Sequence, residues 1–188
     1  MSVKEKKRGR PAKKHGSLSQ CIIIEQAKSL MLNNGKAPSI RQLSSSLNVD
    51  AMAIYHYFKN KDALLEAITT SLIGDIYEPK KSDDWKKELE YLCHSYLQLL
   101  NQYSDLLETL LSMKSEGPAI VFQKRFNEVV YSLNLDKENT DNALALLVDY
   151  LHGFALAMKC NKQEGQLQVD MIAGPLNLYC NAIQIAPK

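Results

Sequence analysis

Three ring-bearing side chains, Tyr55, His56 and Tyr57, stand in unbroken succession before Phe58, with Lys59 and Lys61 close behind. These residue types suit the binding of a polyanion. Phenol hydroxyls donate to phosphate oxygens, ammonium groups neutralise them, and an imidazole or a short side chain between them can face the edge of a base. A contact surface for another protein is the alternative use of the same rings. Catalysis has less support, because His15, His56, His94 and His152 show no sequence relation to a nucleophile and no phosphate-binding glycine loop is present. Cys93 and His94 are neighbours, so on a helix they point about 100° apart. The cysteines Cys21, Cys93, Cys160 and Cys180 are far apart without a CxxC pair, which argues against both a zinc site and a disulfide framework and predicts reduced core thiols. No catalytic residue, metal or cofactor is therefore expected.

The elements that must hold the ring cluster are helical. The stretch "LSQCIIIEQAKSLMLNNG" carries Ile23, Ala27, Leu30 and Met31 on one stripe and stops at Asn34-Gly35. A second short helix begins at Ser39, whose capping box closes on Gln42 and whose apolar face is Ile40, Leu43 and Leu47. Asn48 can take the left-handed conformation of a tight turn, and Asp50 can cap a third helix running to about Phe58. This spacing is that of a helix-turn-helix, whose second helix enters a DNA major groove. On the third helix Ile54, Phe58 and Ala51 share the inward face; Met52, Ala53 and His56 point away, flanked by Tyr55 and Tyr57. Asn60 is the expected cap of a fourth helix reaching about Tyr77.

Charge is divided along the chain. Residues 1–62 hold 12 Lys or Arg against 4 Asp or Glu, a balance of +8, whereas residues 63–188 hold 11 against 17, a balance of −6. A basic polyanion-binding end is thus joined to a mildly acidic remainder. The "KKRGRPAKK" segment, with Arg8 and Arg10, looks like the core of an AT-hook for a narrow minor groove, or serves plain phosphate attraction. The N-terminus lacks the apolar centre of a signal peptide, and no run is read as long and apolar enough to span a bilayer, so a cytoplasmic protein away from the membrane is expected.

The stretch "SIRQLSSSLNVDAMAIYHYFKNKDALLEAI" resembles the DNA-binding domain of the TetR family of bacterial transcriptional regulators, through Ile54, Tyr55, Tyr57, Phe58, Lys61 and Leu64. The close resemblance covers roughly residues 18 to 70; Asn48 replaces the usual glycine. It implies that Arg41 contacts a base or phosphate, that Tyr55 and Tyr57 touch phosphates, that Lys61 holds the backbone, and that Met52, Ala53 and His56 face bases. Ser39, Ala51 and Lys59 complete the expected contact set. The fold class expected is all-α: a basic tail over 1–17, a three-helix helix-turn-helix DNA-binding domain over 18–62, and a helical ligand-binding and dimerisation domain over 63–188.

In that last region helices are expected near 84–102, 105–113, 118–134, 140–162 and 175–185. Trp85, His94, Tyr96, Tyr103, Phe122, Phe126, Tyr150 and His152 are polar or aromatic groups among its apolar stripes and are the candidate contacts of a small effector, uncharged or amphipathic. In "NALALLVDYLHGFALAM" one stripe runs through Leu144, Leu147, Leu151, Phe154 and Met158. A second, with small residues, runs through Ala143, Leu146, Tyr150, Gly153 and Ala157. The second stripe could admit a helix of another subunit, with Tyr179 and Ile183 beside it, or belong to a wide buried core. By the resemblance, the last two helices form a homodimer interface. The function expected is a homodimeric repressor that binds a palindromic operator in double-stranded DNA and is released by a small molecule. A DNA-binding protein whose C-terminal part only dimerises or meets a protein partner, and an all-helical enzyme, are the alternatives.

Overall fold

A computed structural model describes residues 18–161 and 167–186. Nine α-helices account for the described elements: α1 Gln20–Asn34, α2 Ile40–Leu47, α3 Ala51–Tyr55, α4 Lys61–Gly74, α5 Trp85–Gln102, α6 Leu106–Ser112, α7 Gly117–Val130, α8 Lys137–Cys160 and α9 Ala173–Gln184, with 3-10 turns at Tyr131–Leu133 and Val169–Ile172. No strand occurs among the described residues.

The N-terminal helices start where short polar side chains satisfy their first amides. Ser39 and Gln42 form the reciprocal capping box, Asp50 accepts from the Met52 amide at 2.7 Å, and Asn60 accepts from the Ala63 amide at 2.8 Å. Asn48 takes φ 53°, the left-handed turn between α2 and α3. Ile23, Ala27, Met31, Leu43 and Ile54 close the core of this unit at 1% exposure or less.

The structure shortens two expected helices. α3 ends at Tyr55 rather than Phe58, because Phe58 turns inward to the core and Asn60 must be extended to cap the next helix. α4 ends at Gly74 rather than Tyr77, where Asp75 caps it and Ile76 folds back into the core. Two of the four thiols are also not core: Cys93 and Cys180 are buried, but Cys21 and Cys160 are exposed on helix faces.

α4 belongs to both halves of the molecule, packing against α1 on one side and α7 on the other. Its inner residues Leu64, Ile68, Leu72 and Ile73 are each at most 2% exposed. At its C-terminus the Arg125 guanidinium donates to the carbonyls of Ile73 (3.1 Å), Ile76 (2.8 Å) and Gly74 (2.7 Å), satisfying acceptors that a helix end leaves open. Nearby, Lys28 of α1, 7% exposed, meets Asp75 at 2.6 Å and Glu25 at 3.0 Å.

α8 is the longest helix, and it departs from the expectation that no run is long and apolar enough to span a bilayer. Lys137–Cys160 reaches a mean hydropathy of 1.4 over 18 residues. Its inner stripe, Ala143, Leu147, Leu151 and Ala155, packs against the neighbouring helices α5, α6, α7 and α9, while Leu146 and Leu156 stay outside at 62% and 49% exposure.

Gly35 ends α1 at φ 72°, and a Cβ there would come within 2.8 Å of the Ser104 hydroxyl oxygen. Gly35→Ala should therefore lower stability by about 1–2 kcal/mol from backbone conformation alone. The same change combined with Ser104→Ala should recover only the steric part. Urea midpoints of the two variants check this; full recovery in the double variant would place the whole cost in the side-chain contact.

Candidate functional site

Around α3 the polar and ring-bearing side chains are presented outward. Met52 is 63% exposed and Tyr55 42%; His56, Lys59 and Lys61 are exposed, and Ala51 and Ala53 are half-buried. Arg41 on α2 lies outward as well. No ion pair engages Arg41, Lys59 or Lys61 among the described residues, in contrast to Lys28. Asp50, Asn60 and the capping box thus hold a short helix whose outward groups are small, flat or cationic.

Two expected contacts are used differently. Tyr57 does not flank the outward face, because the helix has already ended; its hydroxyl donates to the Leu18 carbonyl, and Gln20 donates back to the Tyr57 carbonyl at 3.3 Å. The Ser39 hydroxyl is committed to the capping box, donating to Gln42 Oε1 at 2.8 Å and accepting from the Gln42 amide at 3.2 Å. Arg8 and Arg10 lie outside the described residues.

In the second half, a cavity of about 690 Å³ opens between α4, α5, α6, α7 and α8. Ile73 contributes from α4, Leu110 from α6, Pro118 and Phe122 from α7, and Leu144 and Val148 from α8. Of the expected effector contacts, Tyr96, Phe122 and His152 line it. The Tyr96 hydroxyl and His152 Nε2 are 2.8 Å apart, and the Tyr96 and Phe122 rings lie 4.8 Å apart at 48°. Burial pushes the Tyr96 phenol above its usual range, and burial likewise lowers the His152 imidazole against the opposing pull of Asp149.

The other five expected contacts lie elsewhere. Phe126 is fully enclosed in the core, and Tyr150 packs on Phe154 with centroids 6.0 Å apart. His94 pairs with Asp170 at 2.7 Å, Trp85 borders a separate groove between residues 79–83 and α7, and Tyr103 is half-buried at the end of α5, beside the charges of Lys28 and Asp75. The aliphatic lining residues were missed because apolar side chains carry no local mark separating a cavity wall from a filled core. No group of three or more His, Cys, Asp or Glu side chains among the described residues is placed to hold a metal ion.

The outward faces of α8 and α9 form a third feature. Leu146, Gly153 and Ala157 are exposed, as is Leu156. On the last helix the outward apolar groups are Leu178 at 73% and, just past its end, Ile185 at 85%. Tyr179 and Ile183 instead turn inward: the Tyr179 hydroxyl donates to the Ala143 carbonyl at 2.8 Å, and Ile183 is 6% exposed.

His152 generates a pH prediction. The unfolded chain takes up a proton near the ordinary value of 6.5, whereas the folded imidazole resists it until lower pH, so stability should fall as pH drops through 6.5 and below. His152→Gln should make that fall shallower. Urea midpoints on both sides of pH 6.5 measure it, and an unchanged slope would show that His152 titrates alike in both states.

Comparison with known proteins agrees with this geometry. Residues 23–68 match the family model described as bacterial regulatory proteins, tetR family, and residues 78–173 match the tetracyclin repressor-like C-terminal domain. The class A tetracycline repressor from transposon 1721 of Escherichia coli is 34% identical over 68 residues, 35% of this chain and 32% of that protein. The class C tetracycline repressor of Escherichia coli is 30% identical over 92 residues, covering 47% and 42% respectively. The alignments thus span less than half the length of these curated relatives. Among solved structures, Streptomyces coelicolor ActR in complex with actinorhodin superposes with a TM-score of 0.73 at 17% identity, over 90% of this chain and 96% of that one. Mycobacterium smegmatis BioQ gives 0.74 at 17% identity, over 89% and 98%. BioQ with its double-stranded DNA operator gives 0.68 at 18% identity, over 89% and 99%. At these identities the structures establish the shared fold. With a helix-turn-helix at one end, a helical unit with a cavity at the other, and a C-terminal family model covering more than half of the residues, the chain belongs to the TetR family of bacterial regulatory proteins.

Proposed function

We propose that the protein is a cytoplasmic, homodimeric transcriptional repressor that binds a palindromic operator through residues 18–62 and is released when a small molecule occupies the cavity of residues 63–188. Its work is binding rather than catalysis. The observation that carries this reading is the double role of α4: Ile73 forms part of the cavity wall, and the same helix packs on α1 of the DNA-reading unit. α7 supplies Pro118 and Phe122 to the cavity and holds the end of α4 through Arg125. An occupant that displaces α7 therefore moves α4, and through Lys28 and Asp75 the displacement reaches α1. A ligand shifts such an equilibrium only by its differential affinity for the two arrangements, so the sign of regulation depends on which one the cavity prefers when filled.

In this assignment Met52, Ala53 and His56 face base edges, Tyr55, Lys59 and Lys61 hold phosphates, and Arg41 reaches either. Tyr57 acts by positioning α1 against the reading segment. The basic tail adds phosphate attraction beside this surface. The experiment is selection of bound fragments from the source genome, then quantitative binding to a panel of operator variants. His56→Ala should change preference among sites by about 1–3 kcal/mol, whereas Lys61→Ala should weaken all sites alike and reduce the salt dependence. Uniform loss for His56→Ala would remove its base-reading role.

Two reading helices must stand about 34 Å apart, or a multiple of that, to enter successive major grooves on one side of the duplex. We assign the pairing surface to the outward faces of α8 and α9, centred on Leu146, Gly153, Leu156 and Leu178. Leu156→Glu should give a helical monomer that binds a full palindrome far more weakly, read by sedimentation, circular dichroism and operator binding on the same sample. A dimer that survives this substitution would put the interface elsewhere.

A further inference from the structure

The cavity bounded by α4 to α8 combines four features. Its walls are dominated by aliphatic side chains and the Phe122 ring. The charged pair on its lining, Lys137 and Asp141, is already joined at 2.5 Å, with the Lys137 side chain 88% exposed. The Tyr96 ring, 5% exposed, meets Phe122 at 4.8 Å and 48°, so flat aromatic surfaces stand on one side. The remaining polar groups on the lining are the hydrogen-bonded pair Tyr96 and His152, the half-buried Ser115, whose hydroxyl donates to Glu66, and the exposed Gln123.

Each feature restricts the occupant. A carboxylate or ammonium carried inward would lose its hydration and find no unpaired counter-charge among these side chains, a cost that neutral molecules avoid. Apolar walls and ring faces favour a fused aromatic body, and about 690 Å³ has room for several rings. The Tyr96–His152 bond then selects the polar substituent. If the Tyr96 hydroxyl donates to Nε2, its oxygen can accept from a ligand. If Nε2–H donates to Tyr96, the phenol proton is available to a ligand acceptor. A hydroxyl both donates and accepts, so it fits either arrangement, whereas a carbonyl fits only the second.

We propose that the effector of this cavity is a neutral, hydroxylated, fused-ring aromatic molecule whose hydroxyl joins the Tyr96–His152 hydrogen bond. The proposal rests on reading this cavity as the effector site, and the experiment separates the two. Naphthalene, 1-naphthol and 1-naphthoate are titrated into the full chain near neutral pH, where the second is neutral and the third ionised, with binding followed by fluorescence and calorimetry. The native protein should prefer 1-naphthol to naphthalene by about threefold to tenfold, the worth of one net hydrogen bond, and bind 1-naphthoate weakest of the three. Tyr96→Phe and His152→Leu should each cut that preference to less than about twofold while leaving naphthalene binding in place. Ala145→Trp, which fills the cavity from an exposed position on α8, should abolish binding of all three.

Tightest binding by 1-naphthoate, or a hydroxyl preference that survives both Tyr96→Phe and His152→Leu, overturns the ligand class while Ala145→Trp still identifies the site. Binding unaffected by Ala145→Trp, or no binding of any probe to a folded native protein, overturns the cavity reading and the ligand class with it. Circular dichroism of each variant confirms that it is folded, and Tyr96→Phe, the removal of one oxygen, keeps the test decisive where His152→Leu perturbs packing.

Discussion

The two halves of the molecule are joined at the end of α4, where one guanidinium from α7 gathers the carbonyls of Ile73, Ile76 and Gly74. The constraint is geometric as well as energetic. A planar guanidinium with fixed donor directions ties the relative position of two helices more tightly than apolar packing alone, which tolerates sliding. On the same joint, Gly117 brings the start of α7 so close to α4 that a Cβ would sit 3.1 Å from both Glu66 and Thr70, and Ser115 donates to Glu66. The two helices are therefore pinned at two places along their contact.

Much of the N-terminal unit was legible because its determinants are local. Ser39, Asp50 and Asn60 each satisfy an amide two or three residues away, and Asn48 supplies a positive φ within its own residue, so none of them needs tertiary information. Tyr57 shows where locality ends. Its orientation follows from a helix that stops at Tyr55, and its partner is the carbonyl of Leu18, thirty-nine positions earlier. The second half was legible as helices but not as surfaces. Periodicity separated two stripes on α8 without saying which side another helix would cover, and Tyr179 and Ile183 were assigned outward although they close the protein's own core. The cavity was visible only through its rings, three of eight candidates, because its aliphatic walls are assembled from four helices, α4, α6, α7 and α8.

α8 unites the two demands of the C-terminal half. Its inner stripe completes the core and its flank lines the cavity, while the residues facing out remain apolar, which is why the helix has the hydropathy of a bilayer span without being buried in this chain. A solvent-facing stripe with Leu146 and Leu156 beside exposed Gly153 and Ala157 has the apolar and small-residue composition on which the proposed pairing surface rests. Asp149 on the same side is exposed, and its charge opposes the larger effect of burial, which lowers the His152 imidazole.

The bond from Tyr57 to the Leu18 carbonyl also fixes an anchor point. Whatever the seven lysines and arginines of residues 1–14 contact, the chain carrying them departs from a place stapled to the reading segment. Arg10 is eight residues from that staple, and a fully extended chain of that length reaches at most about 29 Å. That is less than one helical turn of duplex, about 34 Å. The tail is thus a leashed cation rather than an independent one. In the proposed complex the backbone of Arg10 therefore stays within one turn of the staple, whereas Lys4, fourteen residues away, reaches at most about 50 Å.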